Sequence, residues 1–393
     1  MDAFFASVEE KMNPRLAGRP LAVGGDLKRR GVVSSANYEA RKFGVRAGMP
    51  NAEALRLCPE LQLVEGNPQK YVHLSLQILE VLKDFTPFVE PFSIDEAFLD
   101  LTGAPKLVAA RGEIDTHDPE AVLDSALPIS RAIQKAIHRR TDLTATIGVG
   151  PNKYIAKMAS GVEKPRGLTV MTVERYRRHF WPLNVKELWG IGEKTRVALE
   201  KLGITTIGAL AHFPKEFLTY HFGLNGDNMR NSALGDDDGE VVPYYKGVPV
   251  KSMGHEFTLS EDIDSREKIG AHLLRLSDQV ARRMRQDGYM GRVIALKIRD
   301  SKFKTTIRQR AVPNLMNDED LIYRTASALL DENWGGRPLR LLGVSVSSLV
   351  ESGGAEQHSL FDDDAHKRKM TEAVDSLRNK FGDASLVRAG VLE

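Results

Sequence analysis

The chain has 393 residues, 42% hydrophobic and 27% charged, and a net charge of +2, a soluble composition with room for two to four domains. A single cysteine, Cys58 in LRLCPEL, excludes an internal disulfide and cysteine-pair metal sites and suits a reducing cytoplasm. No apolar run approaches the roughly 20 residues that span a bilayer, so no membrane association is expected.

The opening MDAFFASVEE lacks a basic segment followed by a long apolar core, which excludes a signal peptide. It reads as the end of a strand entering a helix. Short strands and helices alternate through residue 66, with RPLAVGG and GVVSSANYEA as strands leading into turns. Residues 69–86 place Tyr71, Leu74, Ile78, Val81, Leu82 and Phe85 at helical spacing. VEPFSIDEAFLDLTG reads as strand, turn, strand. Ile129, Ala132, Ile133, Ala136 and Ile137 mark a second amphipathic helix, followed by the strand TATIGVG and a helix through KYIAKMAS. Beyond residue 170 small helices take over: VERYRRHF, VKELWG, EKTRVALEKLG and IGALAHF. NSALGDDDGEVVPYY is aperiodic and suits a linker. Residues 246–350 return to α/β, ending in LRLLGVSVSSLV. A second linker, ESGGAEQHSLFDDDA, leads to a last short helix with Met370, Ala373, Val374, Leu377 and Phe381 on one face and Gly382 as its stop.

The chemistry concentrates in PFSIDEAFLDLTG. Asp95 and Glu96 are adjacent carboxylates flanked by Ile94, Ala97, Phe98 and Leu99, and charges at the edge of a core need a neutralising partner. Two divalent cations would serve, and hard oxygen ligands suit Mg²⁺. Such a pair can activate a hydroxyl and stabilise a leaving phosphate oxygen. The competing reading of the dipeptide alone is a solvated hairpin turn. SSANYEARKFGVRAG puts Tyr38 and Arg41 on one helical face, a phenol and a guanidinium fork suited to a triphosphate. In GVEKPRG, Lys164 stands just before a helix-stopping proline, placed to neutralise another phosphate. For each of these alone, a surface ion pair is the competing reading.

WGIGEKTRVALEKLGI carries a G-x-G turn, Gly190 and Gly192, ahead of a helix holding Lys194. It fits a helix-hairpin-helix that binds a nucleic-acid backbone without reading sequence. A dinucleotide fingerprint fails there, because no strand precedes it and the third glycine is missing. Between Val280 and Ala311 ten basic residues face two acids, Asp287 and Asp300, a local excess of eight charges. Within it, alternation predicts a strand with Lys302, Lys304, Thr306, Arg308 and Arg310 on a charged face, to which the preceding strand adds Lys297 and Arg299. Such a face would follow a phosphate backbone with salt-dependent affinity.

In combination DAFFASVE, NYEARKFGV, SIDEAFLD, GVGPNKYIAKMAS, KPRG, WGIG and KSMGHE resemble the Y-family, translesion DNA polymerases, in the DNA polymerase IV branch. The resemblance covers nearly the whole chain. It implies an α+β right-hand fold with palm (1–3 and 67–170), fingers (4–66) and a helical thumb with a helix-hairpin-helix (171–232). A linker (233–245) would lead to an α/β little finger (246–350), and 351–393 would be a tail. It implies low-fidelity, template-directed DNA synthesis past lesions with two Mg²⁺ ions and no proofreading, on primer-template DNA and dNTP, by a cytoplasmic monomer. It makes Asp95 and Glu96 the catalytic metal ligands, with the Met1 backbone carbonyl a further metal contact. Tyr38, Arg41 and Lys164 become the triphosphate contacts, and Phe5, beside Phe4, the steric gate that rejects a 2′-hydroxyl. QHSLF resembles a sliding-clamp peptide anchored by Gln357, Leu360 and Phe361.

The resemblance departs at two places. An aspartate just before Met1, at the end of a first palm strand, would be the third metal ligand, and neither it nor that strand is in the sequence. Asp2 lies one residue late. The expectation is that a chain with an upstream strand catalyses well, and that the sequence as it stands catalyses poorly or acts as a non-catalytic DNA- and clamp-binding accessory protein. KLVAARGEIDTHDPEAV is also longer than the pattern requires, an insertion with no assigned function.

Overall fold

Asparagines and glycines set the entry to the helices that matter here. In this computed structural model, residues 1–25, 30–102, 118–247, 249–352 and 364–388 are described. They divide into two units, Met1–Gly247 and Val248–Glu393.

The first unit holds three apolar cores. Helix α1 (Phe4–Met12) and α4 (Pro68–Lys83) share the first with the later helix Leu127–Thr141. On α4 the apolar spacing does as expected: Tyr71, Leu74, Ile78, Val81 and Leu82 are buried. Truncating one such leucine costs about 3 kcal/mol. Strands β1 (Leu21–Gly24), β2 (Val33–Ala36) and β3 (Gln62–Glu65) form a sheet in the order β2-β1-β3. It packs against α2 (Tyr38–Lys42) and α3 (Asn51–Leu57), with Cys58 in that core. Asn37 starts α2 by accepting from the Ala40 amide at 2.9 Å.

The remaining strands of this unit come in two pairs. β4 (Val89–Pro91) and β5 (Ala97–Leu99) are antiparallel, and β6 (Ile147–Val149) and β7 (Leu168–Val170) are parallel. The pairs belong to separate sheets, and a cavity of about 560 Å³ lies against both. Helices α5 (Pro119–Asp124) and α6 (Leu127–Thr141) follow β5, and α7 (Lys153–Ala159) follows β6. Asn152 caps α7 by accepting from Ile155 N at 2.8 Å. A Cβ on Gly148 would stand 2.1 Å from the Ala156 carbonyl, so glycine is what lets β6 and α7 approach this closely.

The third core is helical: α8 (Val173–Phe180), α9 (Glu193–Lys201), α10 (Ile207–His212), α11 (Lys215–Phe222) and α12 (Leu224–Leu234). Two expectations change here. VKELWG holds only a 3₁₀ turn, Val185–Glu187. NSAL, expected in the linker, closes α12, which ends at Gly235 with φ +80°. The acidic segment after it is tied down: Asp237 accepts from Tyr154 N at 3.1 Å and Glu90 from Val242 N at 2.7 Å.

In the second unit, β8 (Ser252–Ile263), β9 (Tyr289–Asp300), β10 (Thr305–Met316) and β11 (Leu339–Ser347) form a sheet ordered β10-β9-β11-β8. Helices α13 (Arg266–Gln286) and α14 (Glu319–Asn333) cover one face, packing Leu273, Val280 and Leu330 on Leu296, Leu342 and Val344. The last helix, α15, spans Asp364–Phe381. Of its apolar face, Met370, Leu377 and Phe381 are exposed, while Arg378 is buried. Ion pairs hold α15, Asp375 to Arg285 at 2.7 Å and Arg378 to Asp278 at 2.8 Å.

Candidate active site

Asp95 and Glu96 sit in the tight turn joining β4 to β5. The turn is closed by Phe92 N donating to the Glu96 carbonyl at 2.9 Å and Ser93 N to the same oxygen at 3.1 Å. Ser93 Oγ donates to Asp95 Oδ1 at 2.9 Å and orients that carboxylate. Both acids line the cavity with Met1, Lys157 and Lys164. The Met1 nitrogen donates to the Asp95 carbonyl at 2.7 Å, and Asp2 N to the Thr144 carbonyl at 3.1 Å. The first two residues therefore bridge the two strand pairs at the cavity.

Asp2 is 2% exposed and fully engaged. It accepts from Thr144 Oγ1 at 2.9 Å, Thr146 Oγ1 at 2.6 Å and Arg166 N at 3.0 Å. A carboxylate held by three donors is a structural bridge.

Tyr38 and Arg41 share a face of α2, with the guanidinium 4.9 Å from the ring centroid. Arg41 Nε donates to the Ala36 carbonyl at 2.9 Å, which leaves its terminal nitrogens for another acceptor. The Tyr38 hydroxyl is buried without a hydrogen-bond partner among the described residues, an orphan that invites a ligand oxygen. Burial first, then the Asp2 charge, raises its pKa, so the phenol stays a donor. Phe4 is core, and Phe5 stacks on Tyr71 with centroids 4.4 Å apart, which fixes its ring. Neither phenylalanine, nor Tyr38 or Arg41, lines the carboxylate cavity itself. Lys164 does, and its chain partner Arg166 is anchored to Asp2.

The turn before α9 exposes Gly190, with φ +97°, Gly192 and Lys194. In the second unit the predicted cationic face is corrected. Register pairs Lys297 with Ile307 and Arg299 with Thr305, so those two basic residues lie on the open face. Arg308 pairs with Leu296 and Arg310 with Ile294, which puts them on the helix-covered face. There they reach α14: Arg308 donates to Asn333 at 3.1 Å and Arg310 to Glu332 at 2.7 Å. Lys302 and Lys304 are in the turn, their amides donating to Asp300. Arg282 and Arg285 are also spent internally, on Asp383 and Asp375. Gln357, Leu360 and Phe361 lie outside the described residues.

Residues that the sequence reading missed are Lys153 and Lys157. One turn apart on α7, they pair with two glutamates of the hairpin, Lys153 with Glu90 of β4 at 3.0 Å and Lys157 with Glu96 of the turn. The K-x-x-x-K spacing was the available signal. Among the described residues no three His, Cys, Asp or Glu side chains cluster as a metal site. Two adjacent carboxylates, one already holding a cationic ammonium, still fit one hard divalent cation.

Family models match residues 1–161, as the impB/mucB/samB family, and 250–360, as the C-terminal domain of that family. The chain is 38% identical to DNA polymerase IV of Pelotomaculum thermopropionicum, over 99% of this chain and 93% of that protein. It is 39% identical to DNA polymerase IV of Moorella thermoacetica, over 100% and 96%. A Y-family DNA polymerase chimera of known structure superposes with a TM-score of 0.75 at 25% identity, covering 89% of this chain and 97% of that one. With both family models matched and relatives at 38% and 39% identity covered almost end to end, the chain belongs to the impB/mucB/samB family of Y-family DNA polymerases, in the DNA polymerase IV branch.

Proposed function

We propose that the cavity lined by Asp95, Glu96 and Lys164 is where this translesion polymerase joins a dNTP to a primer end. The observation that carries the reading is the hairpin turn that presents two adjacent carboxylates to one cavity, facing Lys164. Mg²⁺ held by Asp95, Glu96 and the Met1 carbonyl would favour ionisation of the primer hydroxyl and offset charge on the leaving phosphate. A second Mg²⁺ would need donors from the substrate phosphates. The protein's part is positioning: Tyr38 donates its phenol proton, Arg41 its free guanidinium nitrogens and Lys164 its ammonium to the triphosphate. Phe5, pinned by Tyr71, leaves no volume beside C2′ for another oxygen. Gly190, Gly192 and Lys194 with Lys297 and Arg299 are the contacts proposed for the DNA backbone. Lys302 and Lys304, in the turn, stay as outer contacts, while Arg308 and Arg310, engaged by Asn333 and Glu332, are left out of the proposal. The domain limits read from the sequence, a monomeric working state and clamp attachment through Gln357, Leu360 and Phe361 belong to the same proposal.

Primer extension with Mg²⁺ and dNTPs tests the whole reading: Asp95→Asn should abolish synthesis, and synthesis that survives it would remove that carboxylate from the proposal.

A further inference from the structure

We infer that Lys157 is a positioning residue that holds Glu96 in place while the divalent cation is away and gives the carboxylate up when the cation arrives. The inference rests on the reading that Asp95 and Glu96 take such a cation. Lys157 stands on the second turn of α7 with its ammonium directly on Glu96 Oε1. Both side chains are partly buried, 20% and 33% exposed, so neither charge is fully screened by water. The ammonium on Glu96 Oε1 takes one of that carboxylate's acceptor positions and repels an arriving dication at short range, so the two compete for Glu96.

The surroundings give the displaced ammonium somewhere to go. Its nitrogen already lies 5.9 Å from the Phe92 ring centroid and 5.7 Å from that of Trp189. The two rings meet edge to face at 5.5 Å and form a corner beside the hairpin. Trp189 is held there by its carbonyl, which accepts from Tyr154 Oη at 2.8 Å. Both distances are within cation–π range, so a small rotation of the side chain trades an ion pair for ring faces. Phe92 opens the turn carrying Asp95 and Glu96, and Trp189 belongs to the turn before α9. The exchange therefore links occupancy of the carboxylates to the seat of the hairpin element. Neighbouring Lys153 also has a ring within reach, Phe98 at 5.7 Å, but its partner Glu90 is on β4 and is held by Val242 N as well, away from the carboxylate pair of the turn.

The test uses the full chain without DNA and reads Mn²⁺ binding by electron paramagnetic resonance. Removing the competing ammonium in K157M should tighten Mn²⁺ binding about two- to five-fold. K164M removes a charge from the same cavity without freeing Glu96, and it should tighten binding less. A second readout follows Trp189 emission, isolated as the difference between the native protein and W189F. Added Mg²⁺ should change that emission in the native protein and in K157R, and not in K157M. Unchanged or weaker Mn²⁺ binding by K157M, or a Trp189 response that survives K157M, overturns the inference. If E96Q and D95N bind Mn²⁺ as the native protein does, the cation reading itself fails. If they lose binding while K157M shifts nothing, only the role of Lys157 falls.

Discussion

The hairpin Val89–Leu99 in the first unit and the hairpin Tyr289–Met316 in the second are both rich in charge, yet they use it differently. In the first, alternation is interrupted by a turn that gathers Asp95 and Glu96 at one point, with counter-charges supplied by α7. In the second, strand register sends neighbouring cations to opposite faces, and α14 engages two of them, Arg310 through Glu332 and Arg308 through Asn333. A run of charge in a sequence thus measures what must be neutralised. How much remains for a ligand is decided by pairing.

The largest effect expected from that contrast is at the first hairpin. Asp95→Asn changes a solvated turn position, so stability should hold while primer extension falls roughly a thousand-fold or more. Thermal melting beside single-turnover extension checks both halves. A comparable loss of stability would mean that the pair is structural, and the contrast between the hairpins would disappear.

The opposite result is expected for an arginine of the second unit. Arg285 donates to Asp375, to Glu319 at 2.9 Å and to the Asn317 carbonyl at 3.0 Å. Arg285→Ala should cost about 2 kcal/mol of stability, because it strands partly buried acids. Denaturant unfolding measures this, and turnover below the onset of the unfolding transition should be unchanged. DNA affinity that drops with no loss of stability would show that Arg285 is available after all.

A smaller effect sharpens the comparison within one hairpin. Replacing Lys297 and Arg299 by alanine should lower the slope of log affinity against log salt by about 0.9 for each phosphate that is no longer neutralised. Replacing Arg308 and Arg310 should lower it less, since they lie on the helix-covered face against Asn333 and Glu332, whereas Lys297, although paired with Glu256 at 2.6 Å, and Arg299 lie on the open face. Equal slopes for the two pairs would return the single cationic face that the alternation predicted.

This pattern separates what the sequence made legible from what it did not. Local rules sufficed for the strand-turn-strand around Asp95, for Tyr38 and Arg41 on one helix face and for the buried stripe of α4. Each depends on residues a few positions apart. The face assignment of Arg308 and Arg310 failed because it depends on register across a turn, and Lys302 and Lys304 fell in that turn. A one-residue difference in where the strand begins reverses every side chain. Which side of α15 docks is not legible locally, because it is set by arginine–carboxylate pairs with segments far along the chain, Asp375 with Arg285 and Arg378 with Asp278. Lys157 went unnoticed because its partner is far along the chain.

Tyr38 offers a finer test of the first unit. Tyr38→Phe deletes a buried hydroxyl that has no partner among the described residues, so stability should be unchanged or slightly higher. If the hydroxyl meets the triphosphate, the KM for dNTP should rise about ten-fold with kcat little affected, as expected for loss of about 1.5 kcal/mol of binding. A variant with unaltered KM would leave the orphan hydroxyl without a role in nucleotide binding.

The smallest expected effect concerns pH and the second unit. His255, on β8, lines a pocket with Arg275, Asp278, Arg282 and Arg283 of α13 and with Arg378, Asp383 and Arg388 of the C-terminal segment. Burial first, then the Arg283 charge, lowers its pKa below the ordinary 6.5. The folded protein therefore resists a proton that the unfolded chain accepts. Its contribution to stability is fully present above that ordinary value and is lost as pH falls below it. Unfolding midpoints measured from about pH 7 to about pH 5 should decline, and His255→Gln should make that decline shallower. A decline that is identical in the variant would assign the acid sensitivity to the carboxylates that hold α15, so that even the pH response of this unit would come from its internal ion pairs.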